Sequence, residues 1–415
     1  MQTLIVCLAI LALLLVIFEE VIHINKAKTT LFLGCLSWLI LYIYPNSGFH
    51  HEHITESLNE NLLEIASLWL FLMAAMTFVA YLNSRGFISG VVQRLLPSKL
   101  TERKLLVILG ISAFIFSSLA DNVTATLVSV AIITQLKIEV KKRLKYTALV
   151  IFAVNSGGVS LITGDVTTLM IFLAGKVSIV SLLQLILPAL AGVICLALLL
   201  SRGLTGSIEL EVDIKPLQSA DKMIAAIFLL TIISTLCFNV IFNIPPVLTF
   251  LFGLSLMFIV GHFMHWPKTN TNVLNYIREI EFDTLLFFLG ILLIVGVLKK
   301  LHVLDGIAQI YQILPTNVAN YLMGIGSSLI DNVPLTAAVL KADIAMLPSD
   351  WLAVTYAMGV GGSLLVIGSA AGIIAMSKVK ELSFISYLRM FFHLLIAYSV
   401  GYWLSVFVSQ THLFN

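Results

Sequence analysis

The 415 residues predict an all-α polytopic membrane protein built as an inverted repeat, with about ten transmembrane helices, two re-entrant helical hairpins and two broken helices. Three observations predict it. The composition is too apolar for a soluble chain, many apolar runs are long enough to cross a bilayer, and two short motifs recur in the same order in each half. The chain is 59% hydrophobic and 11% charged, with a mean hydropathy of +1.04. Soluble domains run at about 45–50% apolar and about 25% charged. A chain of this kind has too little polar surface to cover itself in water, and the same figures exclude a disordered protein or a nucleic-acid binder. Cys7, Cys35, Cys195 and Cys237 all lie in apolar stretches, where thiols act as small hydrophobes and not as a disulfide framework.

A crossing takes about 20 residues. Apolar runs of that kind lie at 1–18, 29–45, 62–82, 146–173, 178–200, 222–243, 246–264, 282–298, 352–376 and 385–409. The opening run has no basic residue before its apolar core, so it reads as a span and not as a signal peptide. Two further stretches, 104–136 and 317–342, are interrupted by Asp121-Asn122 and Asp331-Asn332. They read as hairpins that enter and leave on one side. The basic residues decide for that reading. With two hairpins, the loops at 19–28, 83–104, 137–145, 201–221, 265–281 and 377–384 share one side and, counted with their edges (Lys222 included), carry 19 of the 24 lysines and arginines. The opposite side keeps Lys176, Lys299, Lys300 and Lys341. The positive-inside rule makes the crowded side cytoplasmic and puts both termini outside. Reading 104–136 as one crossing would reverse everything after it and dissolve the asymmetry. The basic run at 137–145 is then a topology anchor, and no nucleic-acid partner is expected.

The repeat is the strongest signal. SSLADNVTAT (117–126) and SSLIDNVPLT (327–336) agree at seven of ten positions, 210 residues apart. GGVSLITGD (157–165) and GGSLLVIGS (361–369) agree at four of nine, 204 apart. Residues 1–200 form the first repeat: three spans, the hairpin 104–136, the broken helix 146–173 and a last span. Residues 222–415 form the second, with the hairpin 317–342 and the broken helix 352–376, and the cytoplasmic linker 201–221 is the seam. Five crossings per half is an odd number, so the halves are inverted relative to each other. Inverted repeats with hairpins and broken helices around a midplane site are the architecture of secondary transporters.

The residues at the interruptions suit a cation. Backbone groups freed at membrane depth must be satisfied or line a cavity. Ser117, Ser118, Asn122 and Thr124, with Ser327, Ser328, Asn332 and Thr336, can satisfy them and also offer oxygen ligands. Gly157, Gly158 and Gly164, matched by Gly361, Gly362 and Gly368 beside Ser363 and Ser369, mark where helices unwind or where backbones pack closely. Asp121, Asp165 and Asp331 are ionisable residues in the membrane, which mark ion paths or proton relays. A buried structural aspartate is the plainer reading of each. No lysine or arginine lies near them within those segments. Ser369 stands where the first half has Asp165, so the first half is expected to hold the principal site, with Na⁺ in the Asp121/Asp165 region. A desolvated carboxylate holds its proton more tightly and a bound cation displaces it, so proton and Na⁺ or Li⁺ compete for one place.

The stretches SSLADNVTAT, NSGGVSLITGDVTTLMI (155–171), SSLIDNVPLTAA (327–338), GGSLLVIGSAAG (361–372) and EFDTLLFFLGILLIVGVL (281–298) resemble the NhaD family of sodium/proton antiporters. That family belongs to the ion transporter superfamily, alongside arsenite permeases and dicarboxylate/sodium symporters. The resemblance runs from about 62 to 376. It implies Na⁺(Li⁺)/H⁺ exchange without a cofactor, in a bacterial cytoplasmic membrane, by a homodimer embedded in the lipid bilayer. It also implies ion- or proton-binding roles for Asp121, Asn122, Thr124, Asn155, Asp165, Thr167, Thr168, Asp331 and Asn332. The alternative within carriers is an arsenite or anion permease, or a Na⁺-coupled anion symporter, against which three acids argue. An intramembrane aspartyl protease would need a second, Tyr-Asp motif that is absent, and a cation channel suits two closing hairpins less well. Among lesser signals, His50, His51, Glu52 and His53 read as a solvated loop ahead of a metal or pH sensor. His393 reads as a core histidine ahead of a proton relay. Residues 86–96 and 303–313 read as interfacial amphipathic helices before the two hairpins.

Overall fold

In a computed structural model, the described residues are 2–17, 19–22, 24–44, 51–88, 90–91, 99–136, 138–209, 218–265 and 273–411. Up to residue 200 the chain forms α1 (Gln2–Ile17), α2 (Glu19–Ile22), α3 (Lys26–Ile43), α4 (His51–Ser84), α5 (Glu102–Leu119), α6 (Asn122–Gln135), α7 (Val140–Gly158), α8 (Val166–Leu173), α9 (Ile179–Leu183) and α10 (Ile186–Leu200). From residue 219 it forms α11 (Ser219–Phe242), α12 (Pro246–His265), α13 (Phe282–Lys300), α14 (Asp305–Ile313), α15 (Thr316–Ile330), α16 (Asn332–Lys341), α17 (Pro348–Gly361), α18 (Ala370–Lys378), α19 (Phe384–Leu388) and α20 (Phe391–Gln410). Among the described residues, seven helical segments are long and apolar enough to cross a membrane by length and composition: 26–43, 51–84, 179–200, 219–242, 246–263, 282–300 and 391–410.

The breaks in the remaining helices have a local cause. Asp121, Asp165 and Asp331 are each the N-cap of the helix that follows. Asp121 accepts the Thr124 N–H at 2.7 Å, Asp165 the Thr167 N–H at 3.1 Å and Asp331 the Val333 N–H at 3.2 Å. Aspartate is among the preferred N-cap residues, and a cap satisfies one of the donors that a helix start leaves open. Asp331 both ends one helix and starts the next, Asp121 follows the end of α5 with Ala120 between, and Asp165 restarts the chain after the break that begins past Gly158.

The two parts of the chain pack as counterparts. Helix α4 packs on α13, α7 on α17, and α10 on α20. The restarted helices cross over: α6 lies against α18 and α8 against α16. Helix α3 lies along α13, where Trp38 Nε1 donates to the Leu293 carbonyl at 3.0 Å. Glycines set the spacing between hairpin and broken helix. A Cβ on Gly157 would lie 2.1 Å from the Phe114 carbonyl oxygen, and one on Gly361 would lie 2.1 Å from that of Gly324. The glycines do both: backbones pack closely at Gly157 and Gly361, and α7 and α17 end at Gly158 and Gly361.

Residues 201–209 fold back onto the helices before them. Strand β1 (Lys99–Thr101) pairs antiparallel with β2 (Ser207–Glu209), with Leu100 opposite Ile208. Glu102, 5% exposed, accepts from Lys142 Nζ at 2.7 Å and from the Gly206 N–H at 3.0 Å. Burial alone would raise its pKa. The Lys142 ammonium and the Gly206 N–H outweigh burial and hold it below the ordinary glutamate value.

Two expectations change here. The segment at His51–Glu52–His53 is the exposed first turn of the 34-residue helix α4 and not a loop, because the helical run extends well beyond the apolar part read at 62–82. His50 lies outside the described residues. Among the described residues no group of three or more His, Cys, Asp or Glu side chains could hold a metal. His393 is exposed on α20 and is not a core residue, since that helix turns Leu394, Ala397 and Tyr398 inward instead. Of the two amphipathic segments, 303–313 contains α14, which buries no residue, and 86–96 lies largely outside the described residues.

Substituting alanine at Gly157 or Gly361 is expected to cost about 1–3 kcal/mol through overpacking. Gly306→Ala, with nothing within 4 Å of its Cβ, is expected to be neutral or slightly stabilising. Thermal unfolding of the purified chain in detergent reads both. Because the folded pKa of Glu102 is depressed, its stabilisation is present above the ordinary value of about 4.3 and is lost as pH falls below it. The unfolding midpoint of the wild type should accordingly drop more steeply than that of Glu102→Gln on acidification from about pH 5 to about pH 3.

Candidate functional site

The site begins where the helix breaks meet. At the first tip, between α5 and α6, Ser117 Oγ donates to the Val154 carbonyl at 2.6 Å and lies 2.5 Å from Asn122 Oδ1. Ser118 Oγ donates to the Gly157 carbonyl at 2.8 Å. Thr124 gives Asp121 a second contact, its hydroxyl donating to Oδ2 at 3.0 Å. In the break between α7 and α8, Thr163 Oγ1 donates to the Ser118 carbonyl at 2.8 Å and Thr168 Oγ1 to the Gly158 carbonyl at 3.1 Å. Serine and threonine hydroxyls thus take up the carbonyls that the breaks release, as membrane burial requires.

The second tip, between α15 and α16, repeats the plan with other partners. Ser327 Oγ reaches the Gly324 carbonyl at 2.7 Å and the Met358 carbonyl at 3.3 Å. Ser328 Oγ reaches the Ile325 carbonyl at 2.7 Å. The Asn332 N–H donates to the Gly368 carbonyl at 3.2 Å, which joins this tip to the break between α17 and α18. In that break Gly362, Ser363 and Leu364 form a 3-10 turn, and the Ser363 carbonyl accepts from Tyr387 at 2.6 Å.

Two side-chain bonds cross between the breaks. Asn332 Nδ2 donates to Asp165 Oδ2 at 3.4 Å, and Asn155 Nδ2 donates to Ser369 Oγ at 3.0 Å. Asn122 Nδ2 stands 3.5 Å from Asn155 Oδ1. Thr167 Oγ1 is fully buried and has no hydrogen-bond partner, which leaves its lone pairs open to another acceptor of electrons.

These groups surround a cavity of about 260 Å³. Asp121, Asn122, Gly164, Asp165, Asp331, Asn332 and Ser369 line it. Thr124, Asn155, Thr167 and Thr168 lie behind that wall, bonded to it or packed on it. Ser117, Ser118, Gly157, Gly158, Ser327, Ser328, Gly361, Gly362, Ser363 and Gly368 hold the breaks in shape and do not line the cavity. A second cavity of about 390 Å³ is lined by Glu64, Leu68, Met170, Leu173, Leu292, Lys299 and Lys341. The same four helices, α4, α8, α13 and α16, line both cavities at opposite ends. Lys341 Nζ donates to Asn61 Oδ1 at 3.0 Å in the second region and also pairs with Glu64.

Sequence reasoning missed part of the first wall: Glu19, Asn25, Lys26, Glu281, Asp283 and Thr284. Lys26, at the start of α3, brings from far along the sequence a base that the acids' own segments lack. Its Nζ lies 3.1 Å from Asp331 Oδ2, across 305 residues of sequence, and 4.4 Å from the centre of the Phe287 ring. Nearby, Asn25 Nδ2 donates to Asp283 Oδ2 at 2.7 Å. The acidic pair in Glu281-Phe282-Asp283 at the start of an apolar run was the available signal. Lys26 had none, because in sequence it is one more base in a basic loop.

Comparison with known proteins places this arrangement. A family model described as citrate transporter (CitMHS) matches residues 10–361. The Na⁺/H⁺ antiporter NhaD of Vibrio cholerae serotype O1 is 32% identical over 93% of this chain and 87% of its own length. This chain belongs to that transporter family and, within it, to the NhaD sodium/proton antiporters. The NhaD antiporter of Alkalimonas amylolytica is 31% identical over 90% of this chain and 84% of its own. Sodium/proton antiporter 2 of Arabidopsis thaliana is 30% identical over 90% of this chain and 92% of its own. Among solved structures, the YdaH transporter of Alcanivorax borkumensis superposes with a TM-score of 0.58, covering 92% of this chain and 97% of its own at 11% identity. That likeness concerns the fold alone. The NhaD relatives are named transporters, so the aspartyl-protease alternative falls.

Proposed function

We propose that this chain exchanges Na⁺ or Li⁺ for H⁺ across a bacterial cytoplasmic membrane by alternating access. The observation that carries the reading is the cavity in which Asp121 and Asp165 open onto one space, in a chain about 30% identical to NhaD antiporters over most of its length. Among the described residues no ion pair reaches either carboxylate. Both are therefore available to a cation or a proton. A hard cation such as Na⁺ takes oxygen ligands, and Asp121, Asp165 and Asn122 on the cavity wall supply them. Thr124 fixes the Asp121 carboxylate, and Asn332 with Asn155 fixes Asp165 and the opposite break. No cofactor is required, since ion and proton displace each other on the same carboxylates.

In this reading residues 1–200 and 222–415 are inverted repeats joined by the linker 201–221, together making about ten crossings and two hairpins, with both termini outside. The cavity holding the acids then faces the cytoplasm, as the basic loops place it. The second cavity, at the other ends of the same helices, faces outward. Two cavities separated by shared helices supply the two accesses that exchange needs. The chain works as a homodimer in the bilayer. The family model's description keeps an anion reading open, as a permease or a Na⁺-coupled symporter. A wall carrying Asp121 and Asp165 without a paired base disfavours an anion there.

Everted vesicles from a strain without its own antiporters, energised to an acid interior, test the proposal. Na⁺ or Li⁺ should collapse the pH gradient, and Asp165→Asn should abolish the response while the protein remains in the membrane. No collapse at any pH from about 7 to about 9.5 sinks the antiport reading, a window that brackets the competition between proton and cation on one carboxylate. Collapse that needs arsenite or a dicarboxylate establishes the anion reading in its place.

A further inference from the structure

We propose that the Lys26 ammonium occupies the cation position of the second half, so that the chain carries one exchangeable Na⁺ site where its repeated architecture has room for two. This rests on the cation-carrier reading above.

The two tips start from nearly the same residues, SSLADNVTAT and SSLIDNVPLT. Each has a serine pair, an aspartate, an asparagine and a threonine at matching places. They end in different electrostatic states. Asp121 is contacted by Thr124, through its N–H and its hydroxyl. Asp331, 4% exposed, accepts the Val333 N–H on Oδ1 and the Lys26 ammonium on Oδ2. The backbone differs to match. Asp121 is extended at φ −168°, whereas Asp331 sits at φ 96°, in the region that L residues avoid. A surrounding structure must hold such a conformation, and here the ion pair is among the contacts that do so.

Charge counting points the same way. At the helix breaks the first half supplies two carboxylates, Asp121 and Asp165. At the matching break positions the second supplies one, Asp331, because Ser369 replaces the other, and Ser369 already accepts from Asn155. One carboxylate and one ammonium make a neutral pair, which holds no charge deficit for Na⁺ to fill. Lysine is a compact point charge on a long stem, a fair substitute for a small cation beside a carboxylate. The stem is not free to swing away. Lys26 opens α3, its N–H is held by Glu19 at 3.0 Å, its ammonium lies on the Phe287 ring, and Asn25 beside it is bonded to Asp283.

The test counts Na⁺ on the purified full-length chain in lipid nanodiscs, with radiolabelled Na⁺ and with thermal unfolding in NaCl against choline chloride. The wild type should bind one Na⁺ per chain and Lys26→Met two, while Lys26→Arg stays at one. The double variant Lys26→Met/Asp331→Asn, which removes the second acid, should return to one. If Lys26→Met is too unstable for counting, its unfolding midpoint should rise with the logarithm of Na⁺ concentration about twice as steeply as the wild type's, since two bound ions stabilise in place of one. A wild type that binds two, a Lys26→Met chain that binds one, or equal slopes overturns this inference and leaves the carrier reading standing. A wild type that binds no Na⁺ overturns both.

Discussion

A helix that stops inside a membrane must have its open backbone groups satisfied by protein, and the rest of this structure depends on that constraint. The chain interrupts helices at four places and answers each interruption locally. Aspartates cap three of the restarted helices. Serines and threonines take up the released carbonyls. Glycines let neighbouring backbones come close enough for those short side chains to reach. The carboxylates that shape the breaks are thereby delivered, without further machinery, to the wall of a cavity. Structure and chemistry share the same atoms. An aspartate that only capped a helix could be replaced by serine or asparagine at modest cost. One that also faces a cation cannot.

How much of this was legible in the sequence varies by element. The membrane class follows from composition, because burial of apolar surface has no alternative in a chain this poor in charge. The breaks at Asp121, Asp165 and Asp331 were readable because an acid in an apolar run is a local anomaly and its recurrence in each half doubles the signal. Helix lengths were less readable. Helix α4 begins at His51, ahead of its apolar portion, because polar residues extend a helix at no cost where it leaves the membrane. Lys26 was unreadable. Its meaning lies in a partner 305 residues away, and pattern arguments see only neighbours. The pairing of Asn332 with Asp165 and of Asn155 with Ser369 was hidden for the same reason.

The near-identity of the two tips makes their divergence informative. The shared residues put an aspartate cap at each tip, yet the caps differ, Asp121 holding the Thr124 N–H and Asp331 the Val333 N–H. The surroundings differ too, since α3 approaches the second tip with a base at its first residue. The second tip thus carries a paired carboxylate, while among the described residues no ion pair reaches Asp121 at the first.

Helix α4 remains. At 34 residues it is about 50 Å long, well beyond a hydrocarbon core of about 30 Å. Leu72 and Met76 on it line the cavity with the acids, and Leu63, Glu64 and Leu68 line the other. Its last turn is fastened by Tyr81 and Arg85 to Asp221 at 2.9 and 3.0 Å. A beam of that length, held by Asp221 near its last turn and by Lys341 at Asn61 and Glu64 in its first half, is one continuous wall of both chambers. The two chambers thus share one stiff member and no separate partition.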